Sequence, residues 1–311
     1  MAALKEIKSR IASVKNTLKI TSAMKMVASA KLHKAQSAIG NNLPYEQKLH
    51  CMLSGILQDG DFRKALKENL GLGKNSRSPV VLQDVDLQAI PSKEDAPRVA
   101  VVAFSSNSSL IGAFNANAVK KFSQTMELLL QNGYSKEDID VYAVGRKLAE
   151  AARREGYEIY RDLADLSEKP DYSKAADLAE DLVDRFASEE ISHVILIYNH
   201  FASMSSQPSV RENYLPLALN DYGNSPEPVD YILEPEPLTL VRELLPMVLN
   251  LKIYTVALDA SAAEHAARTV AMQVASDNAK DLISELTLAY NKGRQQEITA
   301  EILDLVAGTL A

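Results

Sequence analysis

Cysteine and aromatic residues are scarce in this 311-residue chain. It contains one cysteine, no tryptophan, twelve glycines and twelve prolines, and aromatic residues make up 6% of it. Cys51 has no second cysteine to pair with, so the chain is not a disulfide-stabilised secreted scaffold. The low aromatic content disfavours an aromatic-rich β-sandwich and favours helix. We therefore expect a helix-rich protein of a reducing, cytosol-side compartment.

Long hydrophobic runs and a targeting leader are also lacking. The longest apolar runs, such as residues 99–104 and 193–198, are much shorter than the roughly 20 residues that a membrane helix requires. No charged-then-apolar leader with a small-residue cleavage site opens the sequence. We expect any association with a membrane to be made through partner proteins.

Patterns that carry catalysis or bind metal are equally hard to find. Residues 105–109 (SSNSS) follow a buried strand but lack the glycines of a nucleophile elbow, which favours a turn role. The stretch at 71–76 fails as a phosphate loop, because Glu68 stands where the first glycine belongs and Asn75 replaces Ser or Thr. The five histidines form no H-x-x-x-H pair. We expect no catalytic residue, no cofactor and no metal site.

Positive charge is concentrated at the start of a chain whose net charge is −7. Residues 1–39 hold eight basic side chains and one acid, Glu6. A basic amphipathic segment on an acidic body indicates an acidic partner, nucleic acid or a membrane surface, with a solvated helix face as the alternative. No aromatic residue precedes Tyr45, which disfavours nucleic acid, and retention on oligonucleotides at low salt would test that class.

Both ends of the chain carry heptad patterns, which predict coiled-coil helices. In the first helix the stripe is interrupted only by Lys25, and it consists of Leu4, Ile7, Ile11, Val14, Leu18, Thr21, Ala28, Leu32, Ala35 and Ile39. In the second, from about Ser261 to Thr309, it consists of Ala275, Ala279, Leu282, Leu286, Ala289, Gly293, Gln296, Ala300, Leu303, Ala307 and Leu310. The two helices are expected to pair, and the pattern leaves open whether they run parallel or antiparallel.

Further apolar residues lie off both stripes. They are Ile20, Met24, Val27, Ile298, Ile302, Leu305 and Val306. A helix pair that is apolar on more than one side is expected to be enclosed, either by a partner or by the middle of its own chain.

The middle of the chain alternates strand and helix patterns. Buried-strand runs at 98–104, 139–144 and 193–198 alternate with helical patterns at 115–131, 146–155 and 173–189. This alternation predicts an α/β domain with a mainly parallel sheet and helices on both faces. Six prolines between residues 205 and 237 favour edge strands and loops there. We divide the chain into an N-terminal coiled-coil helix (1–54), a connecting insertion (55–95), an α/β domain (96–237) and a C-terminal coiled-coil helix (238–311).

The two ends resemble the gamma subunits of F-type ATP synthases. The resemblance lies in residues 7–17 (IKSRIASVKNT), 20–31 (ITSAMKMVASAK), 112–115 (GAFN), 264–272 (EHAARTVAM), 277–279, 290–295 (YNKGRQ) and 298–301 (ITAE), in the family's order. Two departures stand out. Asp304-Leu305 replaces an acidic-Ile pair, and Ser106-Asn107-Ser108 replaces an Asp-Arg-Gly loop, which leaves the role of that loop uncertain.

The resemblance implies a long antiparallel two-helix coiled coil with a central Rossmann-like α/β domain. It further implies a rotor without a catalytic site of its own, enclosed by three alpha and three beta subunits and contacting an epsilon subunit and a c-subunit ring. In that family, proton flow through the c ring drives ATP synthesis or hydrolysis on the beta subunits. The implied location is the cytoplasmic face of a bacterial inner membrane, or an organellar inner membrane after removal of a transit peptide.

The resemblance also implies roles for individual residues. Met24, Lys25 and Arg268 would lie at coupling positions in the middle of the helix pair, and Arg294, Gln295 and Thr299 would contact beta-subunit loops. Tyr231 and Glu234 would contact the c ring. Each role has an alternative, since Met24 can fill the seam, Arg268 can pair with Glu264 four residues earlier, and Glu234 can be a solvated turn residue. A free-standing α/β enzyme with helical dimerisation arms is the competing class, and the lack of a convergent acid, base or nucleophile disfavours it.

Overall fold

A computed structural model of the chain describes residues 2–58, 80–81, 91, 93, 98–218, 234 and 237–309. Most of the expected insertion 55–95 and Tyr231 therefore lie outside the described residues. The chain divides into two compact units. The helical unit comprises Met1–Ala30 with Arg268–Ala311, and the α/β unit comprises Lys31–Ala267.

Two long helices begin and end the described chain. Helix α1 spans Ala2–Gln58 and helix α6 spans Pro237–Thr309, and both are longer than the heptads predict. They continue through Pro44 and Pro246, although an interior proline costs a helix about 3 kcal/mol. Burial of leucines such as Leu49, Leu53 and Leu249 offsets this cost, because each contributes about 1.5–3 kcal/mol.

A five-stranded sheet forms the centre of the α/β unit. Its strands are β2 (Val99–Phe104), β3 (Ile139–Val144), β4 (Ile159–Asp162), β5 (His193–Asn199) and β6 (Ser209–Leu215). They lie in the order β4-β3-β2-β5-β6, and all neighbours are parallel except β5 and β6, which are antiparallel. A separate parallel pair joins β1 (Val80–Val81) to β7 (Leu217–Ala218).

Helices cover both faces of the sheet. The helices between the strands are α2 (Phe114–Gln131), α3 (Arg146–Arg154), α4 (Ala164–Glu168) and α5 (Tyr172–Ala187). One core contains Val101 and Val141 of the sheet with Phe122 of α2 and Leu148 of α3. The other contains alternate residues of the same strands with α5 and with the α/β-unit parts of α1 and α6. This arrangement confirms the expected fold class: an α/β sheet with helices on both faces, together with long terminal helices.

The sequence analysis does not predict strand β4. It has four residues, Ile-Tyr-Arg-Asp, and it forms the edge of the sheet, where only alternate residues are partly buried. Such a short run with two charged residues lacks the periodicity that identifies a strand. The proline-rich stretch contains the predicted edge strand as β6, while residues 219–233 of that stretch lie outside the described part.

A charged network lies within the α/β unit. The guanidinium of Arg185 donates hydrogen bonds to Asp140 Oδ2 (2.7 Å), Glu190 Oε2 (2.9 Å) and the Tyr142 hydroxyl (2.9 Å). Arg98 donates to the other oxygen of Asp140 at 2.7 Å. Burial raises the pKa of the Tyr142 hydroxyl. Asp140 is therefore a buried carboxylate whose charge is balanced by two guanidinium groups.

One helical segment has the length and composition of a membrane span. It lies within α6 between Thr239 and Leu303, and 56% of its most apolar window is buried inside the protein. The core helix of a soluble protein meets the same criterion, so the segment is weak evidence for membrane crossing. Charged residues such as Arg242 and Lys252 interrupt this segment, so it does not contradict the expectation drawn from uninterrupted apolar runs.

Candidate functional site

The helical unit is a pair of helices whose contact seam on α1 follows the predicted heptad. The seam positions are buried or half-buried, and they are Leu4, Ile7, Ile11, Val14, Leu18, Thr21, Lys25 and Ala28. Most residues between them are exposed. Lys25, which interrupts the apolar stripe, occupies a seam position itself and is half-buried.

The seam on α6 differs from the predicted stripe at alternate positions. It consists of Thr269, Met272, Ser276, Ala279, Ile283, Leu286, Tyr290, Gly293 and Glu297. Ala279, Leu286 and Gly293 agree with the prediction. Leu282 and Leu303, predicted in the seam, are 43% and 63% exposed. The error arises because Leu282 and Ile283 are adjacent apolar residues, and either one continues a heptad from Ala279.

Contacts along the seam show that the two helices run antiparallel. Thr21 Oγ1 lies 2.8 Å from Ser276 Oγ, and Lys25 Nζ donates a hydrogen bond to Gln273 Oε1. Near the other end, Leu4 lies beside Gly293, where an added β-carbon would come within 2.8 Å of Leu4 Cδ2. Residue numbers rise on α1 as they fall on α6. The orientation that the heptads left open is therefore the antiparallel one.

Large apolar side chains are exposed on both helices of this unit. Exposed fractions are 61% for Ile20, 58% for Val27, 74% for Leu288 and 70% for Leu305. A water-soluble coiled coil normally carries polar residues at such positions. Within the helical unit, no described residue covers these side chains. An exposed apolar surface of this kind marks a binding surface for another protein.

The outer face of α1 in this unit is basic. Lys5, Lys8, Lys15 and Lys19 are exposed, and Arg10 pairs with Glu6 at 3.0 Å in an i, i+4 arrangement. Exposed pairs of this kind contribute little to stability. The exposed lysines provide a positive stripe beside apolar residues, a surface complementary to an acidic partner.

Structure places the predicted site residues in three groups. Met24, Lys25 and Arg268 are half-buried, whereas Arg294, Gln295 and Thr299 are exposed on α6. The Thr299 hydroxyl donates to the Gln295 carbonyl at 2.8 Å within its own helix. Glu234 is exposed outside any helix or strand, and Tyr231 lies outside the described residues.

A polar network around Lys25 is not identified by the sequence analysis. Besides accepting from Lys25, Gln273 donates its amide to Asp277 Oδ2 at 2.5 Å, and Lys280 donates to Asp277 Oδ1 at 2.9 Å. The bond from Gln273, followed by that from Lys280, lowers the pKa of Asp277. The i, i+3 spacing of Asp277 and Lys280 is a sequence signal for their pair. The partnership of Gln273 with Lys25 depends on the register of the two helices.

The carboxyl end of the sheet, where parallel sheets often bind ligands, is occupied by structural hydrogen bonds. Ser105 Oγ accepts from the Leu148 backbone N–H at 2.9 Å, and Ser106 Oγ donates to the Ser108 carbonyl at 2.7 Å. Asn107 bridges this loop to α3, because its Oδ1 accepts from the Arg146 N–H at 3.0 Å. Residues 105–109 thus act as turn and capping residues.

Gly145 permits this loop to pass close to α3. Its φ is +113°, and an added β-carbon would lie 2.3 Å from the Ser105 carbonyl oxygen. Only glycine fits such a position. Among the described residues, no group of three or more His, Cys, Asp or Glu side chains is placed to hold a metal ion.

Comparison with known proteins gives consistent matches over the whole chain. A family model described as ATP synthase matches residues 3–311. The ATP synthase gamma chain of Phocaeicola vulgatus is 46% identical and that of Bacteroides fragilis is 48% identical, each over the full length of both chains.

Solved structures give the same fold. A chain from the mitochondrial ATP synthase of Euglena gracilis, from an OSCP/F1/c-ring structure, matches with a TM-score of 0.61 at 19% identity, covering 100% of this chain and 94% of that one. A chain from the central stalk and c ring of the Tetrahymena thermophila mitochondrial ATP synthase matches with a TM-score of 0.53 at 23% identity, covering 83% of this chain and 99% of that one.

Proposed function

This chain belongs to the ATP synthase gamma family, and we propose that its helical unit turns inside a ring of three alpha and three beta subunits. As a gamma chain it is a rotor subunit of the ATP synthase complex, and the catalytic sites lie on other subunits. The observation that carries the proposal is the exposed apolar surface of the helical unit, with Ile20, Val27, Leu288 and Leu305 all more than half exposed. An enclosing ring removes this surface from water.

The asymmetry of the helix pair explains how rotation acts on distant nucleotide sites. Two antiparallel helices have no threefold axis, so three identical surrounding subunits each meet different side chains at any moment. A difference in contact free energy of about 1.4 kcal/mol between two states changes nucleotide affinity about tenfold. The coupling is reciprocal. If the rotational position changes the affinity of a site for nucleotide, then nucleotide binding and release also favour some rotational positions over others. Proton-driven synthesis and ATP-driven pumping therefore use the same helix pair.

Specific residues of the helical unit are proposed to carry these contacts. Met24, Lys25 and Arg268 would act in the middle of the shaft, and Arg294, Gln295 and Thr299 would meet beta-subunit loops. Support comes from the exposure of Arg294, Gln295 and Thr299. The exposed lysines of α1 also support it, because they are complementary to acidic loops on the enclosing subunits. The alternatives stand beside these roles: Met24 as a seam-filling residue, and Arg268 as a partner of Glu264.

The α/β unit is proposed to connect the shaft to the membrane ring. Glu234, which is exposed, would contact the c ring together with Tyr231, and an epsilon subunit would bind nearby. The gamma chain is part of a complex attached to the membrane, and we place it on the cytoplasmic face of a bacterial inner membrane. An organellar inner membrane is the alternative location.

Assembly with partner subunits tests the proposal directly. The purified chain is mixed with alpha and beta subunits, and native mass and ATP hydrolysis are followed together, with alpha and beta alone as the control. One copy joining three alpha and three beta subunits, with increased hydrolysis, is the expected result. Failure of a folded chain to join the ring, or hydrolysis by the chain alone, would overturn the proposal.

A further inference from the structure

A pair of hydroxyl groups joins the two helices of the helical unit. Thr21 is 8% exposed and Ser276 is 4% exposed, and their oxygens lie 2.8 Å apart. Thr21 Oγ1 also lies 3.2 Å from the Leu18 carbonyl oxygen. The arrangement that uses both hydrogens has Ser276 donating to Thr21 and Thr21 donating to Leu18. Both buried hydroxyls are then satisfied by this bridge.

A second polar bridge lies one turn further along α1. Lys25 Nζ donates to Gln273 Oε1, and Gln273 is held in place by its own amide bond to Asp277 Oδ2 at 2.5 Å. The two bridges involve residues four apart on α1 and three apart on α6, so they occupy adjacent steps of the same seam. We call Thr21, Lys25, Gln273 and Ser276 the cross-tie.

The seam beside the cross-tie contains small residues on both helices together with the larger Leu18 and Met272. Ala28 and Ala279 are seam residues close to it, and Gly293 lies farther along α6. Alanine side chains offer few contacts that differ from one register to another, so Ala28 and Ala279 contribute little to fixing the register at this point of the seam. A shift of α6 by one heptad would bring Ser276 level with Val14 or Ala28, which offer its hydroxyl no side-chain partner. Polar seam residues fix a register by this mechanism.

We propose that the cross-tie makes the two helices of the shaft turn as one body under load. Torque applied to a two-stranded rod tends to slide one strand along the other, and the cross-tie resists that sliding by fixing the register of the two helices. Thr21, Gln273 and Ser276 act here as positioning residues. The inference rests on the rotor role proposed above and goes beyond it by naming what joins the two helices to each other.

Removing the hydroxyl bridge tests the inference in the assembled, membrane-embedded enzyme. The variant Thr21→Val/Ser276→Ala replaces both hydroxyls with apolar groups of similar size, so it removes the bridge without leaving a buried hydroxyl unpaired, and the complex should still assemble. Loss of one net hydrogen bond raises the population of untied helix pairs about fivefold. Proton pumping per ATP hydrolysed therefore falls as an opposing proton gradient is raised, while hydrolysis itself persists.

Two further variants serve as matched controls. Thr17→Val/Thr287→Val also removes two hydroxyls from the same helices, but these bond only to carbonyls four residues earlier in their own helix. It should pump as the unaltered enzyme does. Thr21→Ser/Ser276→Thr keeps both hydroxyls and should restore pumping, which a simple packing defect would not predict.

A covalent bridge provides a reversible form of the same test. In a Cys51→Ala background, Thr21→Cys/Ser276→Cys places two thiols at the positions where the hydroxyl oxygens lie 2.8 Å apart, and oxidation is expected to join them as a disulfide. The oxidised enzyme should pump against a gradient as well as the unaltered one, and reduction of the same sample should lower pumping. Equal pumping by the oxidised form, the reduced form and the Thr21→Val/Ser276→Ala variant would overturn the proposed role of the cross-tie. Failure of the unaltered enzyme to pump protons on ATP hydrolysis would instead overturn the rotor role.

Discussion

Gly293 gives Leu4 the space it occupies in the seam, because a β-carbon at position 293 would come within 2.8 Å of Leu4 Cδ2. The clash involves the far end of a flexible side chain. Gly293→Ala should therefore be tolerated, since Leu4 can rotate and alanine favours helix by about 1 kcal/mol over glycine.

A larger, β-branched residue at this position should separate the two helices. Gly293→Ile is expected to destabilise the pairing locally by about 1–3 kcal/mol through overpacking. Hydrogen exchange of residues 2–14 in the full chain should become faster. Ala289→Ile, an exposed site one turn away, is the control, and equal exchange in both variants would contradict the close approach of Leu4 and Gly293.

Met24→Lys should weaken coupling more than folding. Met24 is half-buried beside Lys25, so the variant places a second positive charge next to the first, on the shaft that we propose the alpha and beta subunits enclose. ATP hydrolysis should be retained while proton pumping per ATP in membrane vesicles falls. Met24→Leu, a swap of similar volume, should pump normally. Unchanged pumping by Met24→Lys would count against a coupling role for this position.

Asp138 should contribute stability that disappears in acid. Its Oδ2 accepts from Lys93 Nζ (2.6 Å), Ser135 Oγ (2.6 Å) and the Ser135 N–H (2.8 Å). These bonds, led by the one from Lys93, lower its pKa from 3.8 to about 2. A carboxylate with a lowered pKa stabilises the fold above its unfolded pKa and ceases to do so as pH falls through the folded one.

The test compares Asp138→Asn with the unaltered chain by urea denaturation at several pH values. Because the site is partly open to solvent, the variant should be less stable by about 1 kcal/mol at pH 7. That difference should shrink between pH 4 and pH 2. A difference that is constant over this window would show that the charge of Asp138 plays no part.

Asp140 should be more costly to remove than an exposed acid of the same unit. It balances both Arg185 and Arg98, each at 2.7 Å, and its side chain is 8% exposed. Asp140→Ala leaves the mostly buried Arg185 with the Tyr142 hydroxyl and with Glu190 as its remaining carboxylate, at a cost of about 3 kcal/mol. Asp165→Ala, which removes an 83% exposed acid, is the control. Similar urea midpoints for the two variants would argue against a structural role for the network.

The sequence predicts the seam of α1 better than that of α6, for a physical reason. On α1, from Leu4 to Ala28, apolar residues recur without an adjacent apolar competitor at most steps, so a single heptad fits. On α6, Leu282 and Ile283 are adjacent, and the choice between them depends on what α1 presents opposite. The α1 residues that decide this lie more than two hundred positions away in the chain, so the local periodicity of α6 cannot predict which of the two residues enters the seam.

The same limit explains which parts of the candidate site could be found. Lys25 was recognisable as an interruption of the stripe, and its family resemblance singled it out. Gln273 could not be recognised from the sequence, because its hydrogen bond with Lys25 forms only when the two helices pair in this register. The two residues are 248 positions apart in the chain. The assignments of Arg294, Gln295 and Thr299 stay predictions until the assembled complex is probed.

The bond between Thr21 and Ser276 joins residues 255 positions apart, and this sets the order in which the protein can be made. A ribosome adds about 5–20 residues per second, so the apolar stripe of α1 emerges tens of seconds before its partner is synthesised. During that interval the newly made stripe is an aggregation hazard, because the residues of α6 that bury it have not yet been synthesised. The shaft is thus the last part of the molecule to fold, after the chain leaves the ribosome, and chaperone dependence should be greatest for its N-terminal thirty residues.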